Sequence, residues 1–596
     1  MSEMTITKSK FMEYVRCDRY PALNKIYKRK DLDDVEKDRF YDLVDSLESM
    51  TEADVEAVND IDTTHLDVMM PYFNEVEILA ARKVMSDFGG ETRYGTQYGT
   101  QKLFLRDYDH FNLMCYVDIY NKNDEGVHIV EVKATTSNKY LSMKYTENKV
   151  EHFLFYVDDN NILHLSETRN PAYLSNKKYL TKRKQLTERF RSEGTYMYDL
   201  AFQRFVVGDK IKDAKYYLGV LNHEYVFDGT YIDGKANYTN DSVRLIDVTL
   251  IVEEMQTEIE ESLKLVIKRI IDDNPERVRL GTHCQLKKMR ECIYKDLCFD
   301  RFPKKNSLLM FMDKHHGFKD PAGIKHEYFD MIDDGMLSME DVPSDWLSRR
   351  NNIIQQDCAT LKEAFVDRDK IRDGISTIQY PIYHLDFESF PCPLPRFKGE
   401  RAYMQSLFQF SLHIEREPGV CDKEKDHIEF LSTNHEDNRL ALVKAMCDAI
   451  KDDGGSVMVY NQAFEKTRIK ELAAFFPEYK EQLLAINERL FDLMHIIKTN
   501  SNLYKGLGYD DERAKTVNYY HEDLYGSYSI KKVLPIFSQL TYKGMTVGNG
   551  MEAVYAYASF DKLDKPELER MTTALIEYCK QDTWAMVEIL DNLRKI

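Results

Sequence analysis

Two acids, Asp386 and Glu388, stand two positions apart in an otherwise apolar run, YPIYHLDFESF. In an extended strand that spacing projects both carboxylates from one face. Like charges so close repel and lose hydration unless a cation sits between them. A third acid, Glu465, follows the apolar run VMVYN within YNQAFEKTRIKEL, where a strand is expected to pass into a helix. Near the end of the chain, Tyr578 and Asp582 are four apart in a strongly amphipathic helical pattern and so share a face. Asp492, in RLFDLMHI, is a supplementary acid. Four oxygen ligands of this kind suit a pair of Mg2+ or Mn2+ ions, which at ~3.5–4 Å apart stabilise the attacking and leaving oxygens of a phosphodiester.

The segments HLDFES, YNQAFE and YCKQD together resemble the three exonuclease motifs of the DEDD (DnaQ-like) family, whose fold is related to ribonuclease H. The Tyr578-x-x-x-Asp582 spacing is similar to that of its tyrosine subtype. The resemblance implies that Asp386, Glu388, Glu465 and Asp582 hold metal and that Tyr578 orients or helps to deprotonate the attacking water. The family's second motif ends in Asp, where this chain has Glu465 with its longer arm. Between the motifs, GSYSIKKVLP (Gly526 to Pro535) offers Lys531 and Lys532 to a nucleic-acid phosphate. The plain alternative is a helix start capped by Ser527 or Ser529.

In the amino-terminal half the informative stretch is MCYVDIYNKNDEGVHIVEVKATTS. Asp118 ends one alternating strand, and Glu131-Val132-Lys133 ends the next after a turn near Asp124 to Gly126. Glu131 and Lys133 point to one side of their strand, and a paired strand would bring Asp118 close. Two acids hold a divalent metal while the ammonium steers the nucleophilic water. A surface Glu–Lys pair on a hairpin is the ordinary alternative. The arrangement resembles the PD-(D/E)xK nuclease core, in particular the RecB superfamily. That resemblance implies an acid on a preceding helix, matched by Glu77 (or Glu75) in NEVEILAARKV. It also implies a downstream glutamine, matched by Gln203 in YDLAFQRFVV; the family's tyrosine four residues later is Val207 here.

Three of the ten cysteines lie between 284 and 298, in HCQLKKMRECIYKDLC, and Cys17 lies far upstream in FMEYVRCDRYPALNK. One early and three late cysteines resemble the iron–sulfur nucleases of the RecB family. This implies a structural 4Fe-4S cluster on Cys17, Cys284, Cys292 and Cys298. The gap between Cys284 and Cys292 is longer than that pattern's usual two residues. Zinc on the same thiols, with His283 substituting for one, and no metal at all are the alternatives. Cys115, Cys358, Cys392, Cys421, Cys447 and Cys579 read as small buried residues.

These residues must be positioned by more than one domain, because 596 residues exceed a single ordinary core. Strands and helices mix over residues 1–300, residues 301–375 read as a charged helical connector, and β-rich runs followed by helices fill residues 376–596. The expected fold is α/β throughout. It comprises an N-terminal PD-(D/E)xK restriction-endonuclease-like domain, the helical connector and a C-terminal ribonuclease H-like exonuclease domain. At 43% hydrophobic and 31% charged residues the chain is globular, not disordered. No run nears the ~18 apolar residues that span a bilayer, and the start lacks an apolar leader, so no membrane contact and a cytoplasmic location are expected. The net charge of −19 confines any nucleic-acid face to local basic stretches: Lys25 to Lys30, Lys177 to Arg191 and Lys287 to Lys305. Taken singly, each of these reads as a solvated surface. No GxxxxGKS or GxxxxGKT loop is present, so the chain is not a helicase, although a helicase could act beside it in trans.

The expected activity is metal-dependent phosphodiester hydrolysis by two nuclease domains, exonucleolytic and on DNA before RNA, in repair, recombination or defence against foreign DNA. The 39 tyrosines and 30 phenylalanines supply stacking partners for single strands. Glu465 and Val207 keep open a nucleic-acid-binding or helicase-partner protein with one or both cores inactive. An RNA exonuclease is the further alternative.

Overall fold

The computed structural model describes residues 4–27, 66–95, 101–285, 292–312 and 317–596. The chain divides into two compact units. One holds most of the chain up to Cys298 together with Pro391–Met404, and the other holds Phe299–Phe390 and Gln405–Ile596. Both are mixed α/β.

In the first unit, strand β1 (Met4–Thr7) runs parallel to β4, and helix α1 (Leu66–Phe88) leads into β2 (Glu91–Tyr94). Next come β3 (Lys102–Tyr108), β4 (Phe111–Val117), β5 (Ile119–Asn123) and β6 (Gly126–Thr136). The strands β7 (Phe155–Val157), β8 (Leu163–Leu165), β9 (Lys215–Leu221) and β10 (Val243–Asp247) complete the seven-stranded sheet, in the order β2-β5-β6-β9-β10-β8-β7. β6 pairs antiparallel with β5 and parallel with β9. A parallel neighbour requires a crossover, and helix α2 (Ser192–Val207) lies on it. β6, GVHIVEVKATT, is buried along nearly its whole length, which suits its β-branched run but leaves Glu131 and Lys133 inside the protein. Leu394 and Tyr403, from the segment following the acidic strand, join Val76, Leu79 and Val132 in this unit's core. That segment therefore departs from the 376–596 range expected for the carboxy-terminal domain.

In the second unit, β11 (Ile382–Pro391), β12 (Gln405–Glu415), β13 (His427–Leu431), β14 (Val457–Val459) and β15 (Leu490–Asp492) form a five-stranded sheet ordered β13-β12-β11-β14-β15. β12 and β13 are antiparallel, whereas β14 is parallel to both β11 and β15. Helix α3 (Ala463–Phe475) follows β14 directly. The last helix of the sheet layer, α4 (Lys565–Leu593), is capped by Asp564, whose side chain accepts the Glu567 amide. It is tied to β12 by polar contacts as well as packing. Gln409 donates to the Leu575 carbonyl at 3.0 Å, and Ser411 and His413 each meet the Thr583 hydroxyl at 2.8 Å. Farther along, the Glu415 carboxylate takes His384 at 3.1 Å and Arg594 at 2.6 Å. Burial disfavours the charged Glu415, yet the hydrogen bonds from His384 and Arg594 hold its pKa at about 2.

The expected helical connector is not a separate module. Met312, Ile354, Cys358 and Ile371 are buried in one core with Met458, Leu493, Ile589 and Leu590, and Gly317–Lys319 and Lys325–Glu327 form a small hairpin. Its charged surface hides an apolar face too short-ranged to read from the pattern. No helix among the described residues is long and apolar enough to cross a membrane.

Candidate functional site

β11 carries Asp386 and Glu388 against α4. Among the described residues, one group of three His, Cys, Asp or Glu side chains has its ligand atoms all within 4.8 Å of one another: Asp386, Glu388 and Cys579. The Cys579 thiol lies 3.6 Å from Asp386 Oδ2. Glu388, Tyr578, Cys579 and Asp582 are buried, and Asp386 is half-buried. Burial, then the Asp386, Glu388 and Asp582 carboxylates, push the Cys579 thiol well above its ordinary range. Burial also raises Tyr578, with Asp582 and Glu388 adding to it. Burial and the neighbouring carboxylates thus favour the protonated phenol of Tyr578. Tyr542, which carries no motif signal, donates to Asp582 Oδ1 at 2.6 Å, and its ring stands 6.1 Å from that of Tyr578. The start of helix Gly550–Ala558 lies beside Glu388: a Cβ at Gly550 would sit 4.0 Å from Glu388 Oε2. A helix amino terminus next to a carboxylate is favourable.

Glu465 is buried in the first turn of α3. The turn before it passes through Asn461 at φ +66°, a left-handed conformation that Asn tolerates. Asp492 holds that turn: its carboxylate accepts the amides of Asn461 at 3.0 Å, Gln462 at 3.1 Å and Met494 at 3.0 Å. Instead of supplying a further metal ligand, as its sequence position suggested, Asp492 spends its oxygens positioning the helix that carries Glu465. In GSYSIKKVLP, Ser529 is the cap residue of helix Ile530–Phe537 but its side chain makes no capping bond. The Ser527 hydroxyl instead accepts the Ser529 amide at 3.3 Å. Gly526 stands at φ +74°, where a Cβ would meet the Met310 carbonyl at 2.1 Å. Lys532 lies over the Tyr525 ring at 4.9 Å, and both Lys531 and Lys532 are half-buried.

In the first unit, Glu131, Lys133 and Gln203 come together, the first two at the spacing of two that puts them on one side of their strand and Gln203 as the resemblance implied. Glu131 Oε1 pairs with Lys133 at 3.0 Å and with Lys8 at 2.6 Å, and Gln203 donates to Glu131 Oε2. Asp118 accepts the Val132 amide and the Gln101 side chain, each at 2.8 Å. Of the two acids on α1, Glu77 is buried and Glu75 half-buried. Two members of this cluster were not anticipated. Asp199, 3.8 Å from Lys133, sits one helical turn before Gln203, so the spacing in DLAFQ carried a usable signal. Lys8 carried none, because only the pairing of β1 with β4 delivers it.

Cys17, Cys284, Cys292 and Cys298 line one small cavity with His283 and Arg16. Arg19 donates to Cys298 Sγ at 3.3 Å. Among the described residues, no three of these thiol and imidazole ligand atoms form a group as close as that of Asp386, Glu388 and Cys579. Of the remaining cysteines, Cys115, Cys358 and Cys392 are buried as expected, Cys421 and Cys447 are half-buried, and Cys579 belongs to the acidic cluster.

Some members of the basic stretches are paired internally. Arg183 is buried between Glu167 and Glu254 at 2.7 Å each, and Arg191 holds Glu188 at 2.5 Å. Lys25 pairs with Asp273, and Lys305 with Glu522 and Asp523. Lys28 to Lys30 and Lys287 to Glu291 lie outside the described residues.

A family described as a domain of unknown function (DUF2779) matches residues 383–529, which include Asp386, Glu388 and Glu465 but not Tyr578 or Asp582. Uncharacterized protein MG366 of Mycoplasma genitalium is 25% identical over 251 residues, covering 38% of this chain and 34% of that protein. Uncharacterized protein UU173 of Ureaplasma parvum is 27% identical over 229 residues, covering 36% and 31%. The MG366 homolog of Mycoplasma pneumoniae is 33% identical over 161 residues, covering 25% and 21%. The matched region thus spans about a third or less of the length of these curated relatives.

Proposed function

We propose that the protein is a divalent-metal-dependent nuclease whose second unit hydrolyses phosphodiester bonds, DNA before RNA. The observation that carries this reading is the convergence of Asp386 and Glu388 on one strand with Tyr578 and Asp582 on the final helix. Two like charges brought together inside a protein call for a cation. Asp386, Glu388, Asp582 and Glu465 would hold Mg2+ or Mn2+, which supplies a Lewis acid and an activated water. Tyr578 would orient the attacking water, and Tyr542 fixes the Asp582 carboxylate. The strand order, with the acidic strand central between an antiparallel pair and two parallel strands, supports a ribonuclease H-like exonuclease reading.

The first unit supports a PD-(D/E)xK reading through helix α1, the antiparallel strands β2, β5 and β6, the crossover helix α2 and the parallel strand β9, with Glu131 and Lys133 on β6. Glu131 there is already neutralised by Lys8 and Lys133. That favours a second reading, in which this unit binds nucleic acid, or serves beside a helicase, without cutting. The four cysteines suit a 4Fe-4S cluster better than zinc. A tetrahedral zinc with ~2.3 Å bonds needs all its sulfurs within about 3.8 Å of one another. Arg16 and Arg19 would offset the cluster's negative charge.

The test is anaerobic purification followed by cleavage assays on end-labelled single-stranded and duplex DNA and RNA with Mn2+ or Mg2+. Wild type is compared with Asp386→Ala, Lys133→Ala and the double variant. Loss of cleavage in Asp386→Ala and the double variant, with Lys133→Ala retaining it, is expected, and absence of metal-dependent cleavage of every substrate in the wild type refutes the nuclease reading.

A further inference from the structure

We propose that Cys579 is a direct metal ligand in the second unit's centre, so that this site prefers a borderline-to-soft divalent ion of the zinc and cadmium class over Mg2+. The inference rests on the reading that Asp386 and Glu388 hold metal, and it changes what that metal is.

A buried cysteine ordinarily packs as a small apolar side chain. Cys579 is fully buried, yet its thiol is 3.6 Å from Asp386 Oδ2, and its ligand atom lies within 4.8 Å of those of both Asp386 and Glu388. It also feels the Asp582 carboxylate. Cys579 and Asp582 are three residues apart on α4 and therefore share the face turned to β11. A strand and a helix thus present two carboxylates and a sulfur to one point. Carboxylates alone suit hard ions such as Mg2+, whereas a thiolate selects softer ones. On binding, the thiol proton passes to solvent and a sulfur–metal bond forms, with no change of oxidation state. A zinc-class ion would then compete with Mg2+ for the same carboxylates.

Cadmium is the probe, because its NMR resonance moves strongly downfield with each sulfur ligand. A one-sulfur, oxygen-rich site is thereby resolved from a four-sulfur site on the other cysteines. Full-length wild type is expected to show that mixed resonance. Cys579→Ser and Cys579→Ala should lose it and weaken cadmium binding there by about 100-fold, while Mg2+ affinity changes by less than about threefold. Asp386→Asn should weaken both ions. An unchanged mixed resonance and cadmium-to-magnesium selectivity in both Cys579 variants overturns the proposal. So does an Asp386→Asn protein that loses Mg2+ but keeps the resonance unaltered. If the Cys579 variants abolish the resonance while no metal supports cleavage in the wild type, the ligand assignment stands and the nuclease reading falls.

Discussion

Replacing Asp386 by Asn should stabilise the second unit in chelator and remove its response to Mn2+, two opposite effects from one change. Carboxylate oxygens of Asp386 and Glu388 lie within 4.8 Å. At that separation and an effective dielectric constant of ~20, two unit charges repel by about 3.5 kcal/mol. Asp386 is half-buried, so solvent screening reduces this to about 1–2 kcal/mol. The amide oxygen of the substituted side chain can still accept from the Cys579 thiol, so the weakened hydrogen bond subtracts only about 0.5 kcal/mol. In the wild type, Mn2+ at about a hundredfold over its dissociation constant adds about 2.7 kcal/mol. For a unit of this size each kcal/mol moves the melting temperature by about 2 °C. The expected pattern is therefore a rise of about 2–4 °C for the variant in chelator, and a rise of about 5 °C on adding Mn2+ for the wild type only. Tryptophan fluorescence isolates this unit, because both tryptophans of the chain, Trp346 and Trp584, belong to it. A variant less stable than wild type in chelator, with an undiminished Mn2+ shift, would show that the pair neither repels nor binds a cation.

Glu415→Gln should destabilise the second unit by about 1.5–3 kcal/mol at neutral pH, since it removes the charged acceptor of buried His384 and one of the two carboxylates on half-buried Arg594, which keeps Asp591. The wild-type Glu415 pKa of about 2 lies below the ordinary carboxylate value, so its contribution is full above about pH 4.5 and is lost as pH falls through 2. Fluorescence melts between those limits should show a shallower acid slope in the variant, and equal slopes would refute the assignment. Asp492→Ala strips the acceptor from three amides and should cost about 2–4 kcal/mol while weakening Mn2+ binding; Asp492→Asn should recover part of both. Cys292→Ser, purified anaerobically, should lose iron and sulfide and lower the melting of the first unit by calorimetry, with the tryptophan-monitored transition unmoved. Retention of full iron content would remove Cys292 from the ligand set.

What the sequence determined by itself was whatever depends on near neighbours. A spacing of two on a strand puts Asp386 and Glu388 on one face, and Glu131 and Lys133 on another, whatever the rest of the chain does. A spacing of four on a helix does the same for Tyr578 and Asp582. The tertiary structure decided everything that depends on which distant segments meet. Asp492 looked like a ligand until β15 set it under the turn at Asn461, where three amides claim its oxygens. Cys579 looked like core packing until α4 laid it against β11, and Tyr542 and Lys8 had no local pattern at all. Residues 301–375 looked like a connector because their charges are local, while the core that Ile354 and Ile371 join also draws on Leu493, Leu534 and Ile589, more than a hundred residues away. A side chain's direction follows from backbone geometry that adjacent residues share, but its charge environment is set by contacts that only the closed fold creates.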